Sequence, residues 1–223
     1  MFGRKNSEVG TVVALLAAAI RRDIAFGELP PDAKLKIEAL RARYGGSAHS
    51  MREALVQLSV ERLVEATAQR GFRVASATQA DLEDITRLRV EIECLGLRWS
   101  MERADVDWEG RVVAARHRLS RIEQDIASNP LELALEWEEF NHCFHTALID
   151  ACGSPRLLEM HERLYNQSQR FRLAALSEGV VDFEASKADH DALIDAVLDR
   201  NPDKAINTLK AHITGRNGRS RHH

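Results

Sequence analysis

Ser47-Ala48-His49-Ser50-Met51-Arg52-Glu53-Ala54-Leu55 follows the pair Gly45-Gly46, and its reading decides the fold of the front of this chain. Met51, Leu55 and Leu58 recur at the spacing of one helix face, so the stretch reads as a short helix entered from a glycine turn. Upstream, Leu35 to Tyr44 is a second short amphipathic segment. Leu35 and Ile37 form an extended entry, and Ile37, Leu40 and Tyr44 form the helical stripe. Downstream, Leu63 to Val74 alternates, with Val64, Ala66 and Ala68 on one arm and Phe72 and Val74 on the return. Gln69-Arg70-Gly71 supplies the turn, where Gly71 can take a positive φ. Two short helices, a tight turn and a small β-hairpin make a winged helix-turn-helix, whose second helix enters the major groove of DNA.

That reading assigns roles. Ser47, Ala48, His49, Ser50 and Arg52 lie at the amino-terminal end of the recognition helix. Arg52 can reach a guanine edge or a phosphate, and His49 and Ser50 can donate to phosphate or base. Gln69, Arg70 and Gly71 form the wing tip, with Arg70 suited to phosphate or the minor groove. The competing reading of Arg52 is a surface arginine paired with Glu53 or Glu61.

Charge distribution agrees. Residues 1–77 hold 12 Lys+Arg against 8 Asp+Glu, whereas residues 78–223 hold 19 against 26. A positive front module joined to an acidic body suits a DNA reader fused to something else. Cys94, Cys143 and Cys152 are odd in number and lack C-x-x-C spacing, which argues against disulfides and a cysteine zinc site and fits a reducing cytoplasm. The apolar run Val12 to Ile20 is too short to span a bilayer and continues in helical register through Ile24. It reads as an amphipathic helix from about Ser7 to Phe26, not as a signal peptide. No membrane partner is expected.

Beyond a polar hinge at Ser76 to Gln79 only helical periodicity is found, over about 80–104, 108–128, 130–152, 155–175, 182–200 and 202–215. Asp105-Val106-Asp107, Ser128-Asn129-Pro130, Gly153-Ser154-Pro155 and Asn201-Pro202 punctuate the helices. The expected fold is mainly α: a winged helix-turn-helix over 1–76, an all-helical bundle over 77–215 and a flexible basic tail over 216–223.

As a set, Ile24-x-x-Gly27-x-Leu29-Pro30-Pro31, Leu35-x-Ile37-x-x-Leu40-x-x-x-Tyr44, Met51-Arg52-Glu53-Ala54-Leu55-x-x-Leu58 and Leu63-Val64 closing on Gly71-x-x-Val74 resemble the GntR family of bacterial transcription regulators. The helical remainder resembles the FadR subfamily, whose carboxy-terminal effector module is called FCD; the likeness spans about residues 10–214. It implies a homodimer on palindromic operator DNA whose affinity an effector modulates. Three positions depart from the pattern: Asp32 stands where glycine is usual, Ala48 where a basic residue is usual, and Glu38 where some members place an arginine.

In the body, His190 and His212 lie 11 residues before and 11 after Asn201, so an antiparallel helix pair sets them at one height. His145 shares a face with Asn141, four residues earlier. Three imidazoles on converging helices can hold a divalent transition metal such as Zn²⁺ or Ni²⁺ with positions left open. The FCD resemblance implies the same centre, with His145, His190 and His212 as the histidines and Asn141 where an aspartate is usual. His142 is a possible substitute ligand. The resemblance also places Arg89, in an R-x-x-x-E pattern, toward a carboxylate effector, its alternative being an ion pair with Glu93. Tyr165, Gln169 and Arg170 share a helix face and could add hydrogen bonds. Trp108-Glu109, Ala115-Arg116-His117-x-Leu119 and Leu148-x-x-Ala151-Cys152-Gly153 are similar to CsiR-type regulators, which implies a small dicarboxylate such as glutarate.

The leading expectation is an effector-responsive repressor and not an enzyme. Two alternatives are a metal-free regulator that binds a larger ligand such as an acyl thioester, and a metal-dependent hydrolase. The second lacks H-E-x-x-H or any evident carboxylate base beside His145.

Overall fold

The computed structural model describes residues 3–67 and 71–218. The chain divides into two compact units, Met1–Thr78 and Gln79–His223.

In the first unit, α1 (Gly3–Ala25) ends at Gly27, whose φ of 75° reverses the chain before Pro30-Pro31. Next come β1 (Lys34–Leu35), α2 (Ile37–Tyr44), α3 (Ala48–Val60), β2 (Val64–Thr67) and β3 (Gly71–Val74). The expected hairpin is a three-stranded antiparallel sheet in the order β1-β3-β2. Leu35 and its neighbour pair with β3, Lys34 opposite Arg73 and Leu35 opposite Phe72. The extended entry to α2 is therefore a strand. Leu16, Ile20, Ile24, Leu40, Met51, Leu55, Leu58, Leu63 and Val74 make one core. Asp32, where glycine is usual, adopts φ 64°. Aspartate tolerates this left-handed region better than most residues. Here its carboxylate also accepts a 3.0 Å hydrogen bond from Ser76 Oγ.

The second unit is six helices: α4 (Gln79–Glu102), α5 (Val106–Asp125), α6 (Pro130–Ile149), α7 (Pro155–Ser177), α8 (Phe183–Leu198) and α9 (Pro202–Gly218). Their starts follow from local chemistry. Asp105, Ser154 and Asp182 each accept a backbone N–H as N-caps, and Pro130, Pro155 and Pro202 open α6, α7 and α9. Helix α4 packs on α6, α7 and α9, α5 on α6 and α8, and α8 on α9. Trp108, Trp137, Phe144, Leu97, Leu119 and Leu148 are fully buried. Two expected boundaries shift. The units meet after Thr78, because the hinge stays extended until α4 begins at Gln79. Helix α9 runs to Gly218, so residues 216–218 are helical, not tail. Gly215, read as a stop, is accommodated within the helix at a cost of about 1 kcal/mol relative to alanine. Residues 219–223 of the expected tail lie outside the described residues.

Candidate metal centre and DNA-reading helix

Helix α3 begins at Ser47, whose Oγ accepts the Ser50 N–H at 3.0 Å and lies 3.0 Å from Ser50 Oγ. This N-cap consumes Ser50, which is buried; its expected contact with DNA is corrected to a capping and packing role. Met51, Ala54, Leu55 and Leu58 are also buried, so the outward face of α3 is His49, Arg52, Glu53 and Val56. His49 Nε2 sits 3.2 Å from Glu53. Glu61 is held by a bidentate contact from Arg21 at 2.8–3.0 Å. The two acids that competed for Arg52 thus have other partners, and Arg52 lies exposed beside His49 on the leading turns. Gly71, at the start of β3, takes φ 82°. Gln69 and Arg70 lie outside the described residues.

In the helical unit, His145, His190 and His212 converge from α6, α8 and α9, each essentially fully buried. One ligand atom from each lies within 4.8 Å of the others, and His190 Nε2 and His212 Nε2 are 3.1 Å apart. That spacing matches two nitrogens that each sit about 2.0–2.1 Å from one ion. Every Nδ1 is turned to a carboxylate: His145 to Glu93 at 2.6 Å, His190 to Glu123 at 2.7 Å and His212 to Asp189 at 3.3 Å. An Nδ1–H donated to an acid leaves the lone pair on Nε2, which is the tautomer that ligates metals. His145 Nε2 is buried with no hydrogen-bond partner. A buried, partnerless acceptor is costly unless something electropositive meets it.

The electrostatics fit neutral imidazole. Burial drives His145 down to about 3 against the opposing pull of Glu93. Burial alone would raise the Glu93 carboxyl, but the Arg89 guanidinium and then His145 hold it well below the usual carboxylate range. Glu93 is therefore an anion that receives Nδ1–H.

Other expected residues fall as follows. Asn141 is fully buried on α6 and donates Nδ2 to the Tyr165 hydroxyl, which leaves its carbonyl oxygen as the only atom able to ligate. His142 points elsewhere: it stacks on Tyr165 at 4.4 Å and meets Glu162 at 2.8 Å, so it is not a substitute ligand. Arg89 is buried in the ion pair with Glu93 at 2.8 Å, the alternative weighed from the sequence. Tyr165 lies 5.8 Å from His145, ring to ring, with the guanidinium groups of Arg89 and Arg172 at 4.8 and 4.0 Å from its ring centre. Gln169 and Arg170 are half-buried, with Arg170 stacked on Phe171. A cavity of about 100 Å³ is lined by Trp137, Phe171, Arg172, Val180 and Asp189; it touches the centre's supporting groups through Asp189, and none of the three histidines lines it.

Glu93, Glu123 and Asp189 were not assigned to the histidines from sequence, and neither was the buried Arg172–Glu138 pair. A signal existed. Arg116 and Glu123 are spaced seven apart, in register with Val112, Leu119 and Ile126, so charges sit on an apolar stripe. Buried charges of that kind are paired or functional.

Comparison with known proteins agrees with this architecture. Residues 14–74 match the bacterial regulatory proteins of the gntR family, and residues 84–215 match the FCD domain. The chain belongs to the GntR family and has an FCD effector domain. It is 36% identical over 197 residues to the HTH-type transcriptional repressor GlaR of Escherichia coli, covering 87% of this chain and 89% of GlaR. It is 35% identical over 208 residues to the uncharacterized HTH-type transcriptional regulator BphR of Paraburkholderia xenovorans, covering 93% and 84%. The solved structure of E. coli McbR/YncC shares the fold at a TM-score of 0.74 and 19% identity, covering 92% of this chain and 94% of that one. The protein is thus a DNA-binding transcription regulator and not an enzyme. No helix among the described residues is long and apolar enough to cross a membrane.

Proposed function

We propose that this regulator is a homodimeric repressor that a small carboxylate, of the dicarboxylate class, releases from its operator. The carboxylate binds at a divalent transition metal, Zn²⁺ or Ni²⁺, held by His145, His190 and His212. One observation supports the metal above the rest: all three Nδ1 atoms are committed to acids while the opposite faces of the rings converge. Asn141 offers a carbonyl oxygen one helical turn from His145. The ion would supply a Lewis-acidic anchor for a carboxylate. The protein's own groups do the rest. Glu93, Glu123 and Asp189 fix the tautomers, and the buried Arg89–Glu93 and Arg172–Glu138 pairs keep the surrounding helices in register. Repression is supported by the 36% identity to a protein named as a repressor.

Effector binding would change the pose of two winged modules and so the half-site spacing they satisfy. Gel shift on DNA from the protein's own promoter region tests this. The zinc-loaded protein should bind, weaken steeply with salt and be released by a dicarboxylate. Binding of equal strength at all salt concentrations, or indifference to every carboxylate tried, refutes it. Replacement of Arg89, Tyr165, Gln169 and Arg170 one at a time then maps the effector contacts.

A further inference from the structure

We infer that metal and carboxylate bind this regulator as a mutually dependent pair, because Asn141 leaves the centre without a fixed anionic ligand. The inference rests on the metal reading above and adds to it the condition under which the metal is retained.

The charges around the centre can be counted. The donors that meet at it are three imidazoles, and Asn141 lies one helical turn before His145 on α6; all four are neutral when they ligate. The acids behind the imidazoles do not supply the missing charge in full. Glu93 is paired with Arg89 at 2.8 Å, and Glu123 with Arg116 at 2.8 Å, although Arg116 also holds the exposed Asp191 at 2.7 Å. Asp189 has no arginine among the described residues, but its side chain is 46% exposed and solvent screens it. The third buried pair, Arg172 with Glu138, closes on itself at 2.6 Å. No acid ligates a divalent ion here, so a fully buried shell holds its charge against acids that stand behind the imidazoles and are shared with arginines or solvent, a costly arrangement. A carboxylate that ligates the ion removes much of that cost. Conversely, a carboxylate brought into this bundle without the ion meets arginines that already have partners.

Each ligand thus raises the affinity of the other, and linkage makes the two factors equal. The consequence for regulation is a coincidence requirement: the effector is sensed as a metal–carboxylate pair. Asn141 sets that requirement. An aspartate at the same position would supply the anion permanently and loosen the dependence.

The test uses full-length protein in a carboxylate-free buffer at matched ionic strength. Zn²⁺ affinity is measured by competition with a chromophoric chelator, with no addition, with glutarate, and with the uncharged diamide of glutarate. Glutarate suits the purpose because its carboxylates are too far apart to chelate free Zn²⁺ tightly. The expected result is about a tenfold or greater gain in Zn²⁺ affinity with glutarate, within the usual range of coupling between sites, and none with the diamide. Calorimetry should show the same factor for glutarate binding to zinc-loaded against stripped protein. Asn141→Asp should bind Zn²⁺ more tightly without glutarate and show a smaller factor. Asn141→Ala, also neutral, should keep the dependence, so the argument survives if the aspartate variant fails to fold. Equal Zn²⁺ affinity with and without glutarate in the wild type overturns the inference while leaving the metal centre standing. An undiminished factor in folded Asn141→Asp removes Asn141 as its cause. No Zn²⁺ binding in any arm takes down the metal reading itself, and this inference with it.

Discussion

Glu123→Gln isolates what a buried acid does for a ligand histidine. In the wild type Glu123 Oε2 accepts from Arg116 Nη1 at 2.8 Å, and Oε1 faces His190 Nδ1 at 2.7 Å. Glutamine is the same size but has one acceptor and one donor end. Arg116 has only donors, so it takes the amide oxygen. The NH₂ is then left against His190 Nδ1, which must become an acceptor. The ring proton moves to Nε2, the atom 3.1 Å from His212 Nε2, and the lone pair is lost from the converging face. Reversing the tautomer sacrifices a hydrogen bond to a charged group, worth about 1.5–3 kcal/mol. The expected loss of Zn²⁺ affinity is about 10- to 100-fold, the range usual for such supporting partners. Arg116 is not orphaned, since Asp191 also holds it at 2.7 Å and 3.0 Å, so the fold should survive. Chelator competition gives the affinity and thermal melting of the metal-free protein confirms folding. Asp191→Asn is the control: it loosens Arg116 from the other side without touching His190, and should leave Zn²⁺ affinity nearly unchanged. Equal losses from the two variants would refute the tautomer argument and make the arginine scaffold responsible.

Three further outcomes are expected. Arg52→Ala, at an exposed position, should leave the melting temperature unchanged and weaken operator binding; if Arg52 meets a phosphate, the salt slope in a gel-shift titration falls by about 1. Gly96→Ala should destabilise the helical unit by about 1–3 kcal/mol, because an added Cβ would stand 2.9 Å from Leu157 Cδ2 and 3.0 Å from Ile149 Cβ on packed neighbours; an unchanged denaturant midpoint would contradict this. Maleimide at pH 8 should label exposed Cys143 well before Cys94, whose thiol burial pushes up to about 11, leaving roughly one thiolate in a thousand; peptide mass mapping checks the order.

The sequence was readable where one element's own periodicity carried the information. The stripe Met51, Leu55, Leu58 marks α3, and the six body helices fall within a few residues of their expected spans because capping residues and prolines mark their starts. The strand Lys34–Leu35 was not readable, since two residues have no period and gain their identity only from Phe72 and Arg73 across the sheet. Ser50 shows the same limit in reverse. Its position on the recognition helix is plain, but the choice between capping and DNA contact depends on which way the helix faces its core.

The candidate metal centre divides along this line. His190 and His212 could be paired because a helical hairpin equates distances from its turn, and Asn141 with His145 because four residues make one helical turn. The acids behind them could not, because Glu93 comes from α4 and Glu123 from α5, and no spacing along one helix encodes a meeting with another. What remains readable is a cost. Arg89, Glu93, Arg116 and Glu123 lie at stripe positions where apolar residues would serve packing better. A well-packed apolar replacement of a buried ion pair is often neutral or stabilising, so two such pairs in one bundle need a use beyond stability. The structure supplies it: each pair ends on the Nδ1 of a histidine whose other nitrogen faces the shared centre. Glu93→Leu combined with Arg89→Leu takes the acceptor from His145 Nδ1 and should therefore lower Zn²⁺ affinity. Unchanged Zn²⁺ affinity in the folded double variant would mean that the pair serves the fold alone.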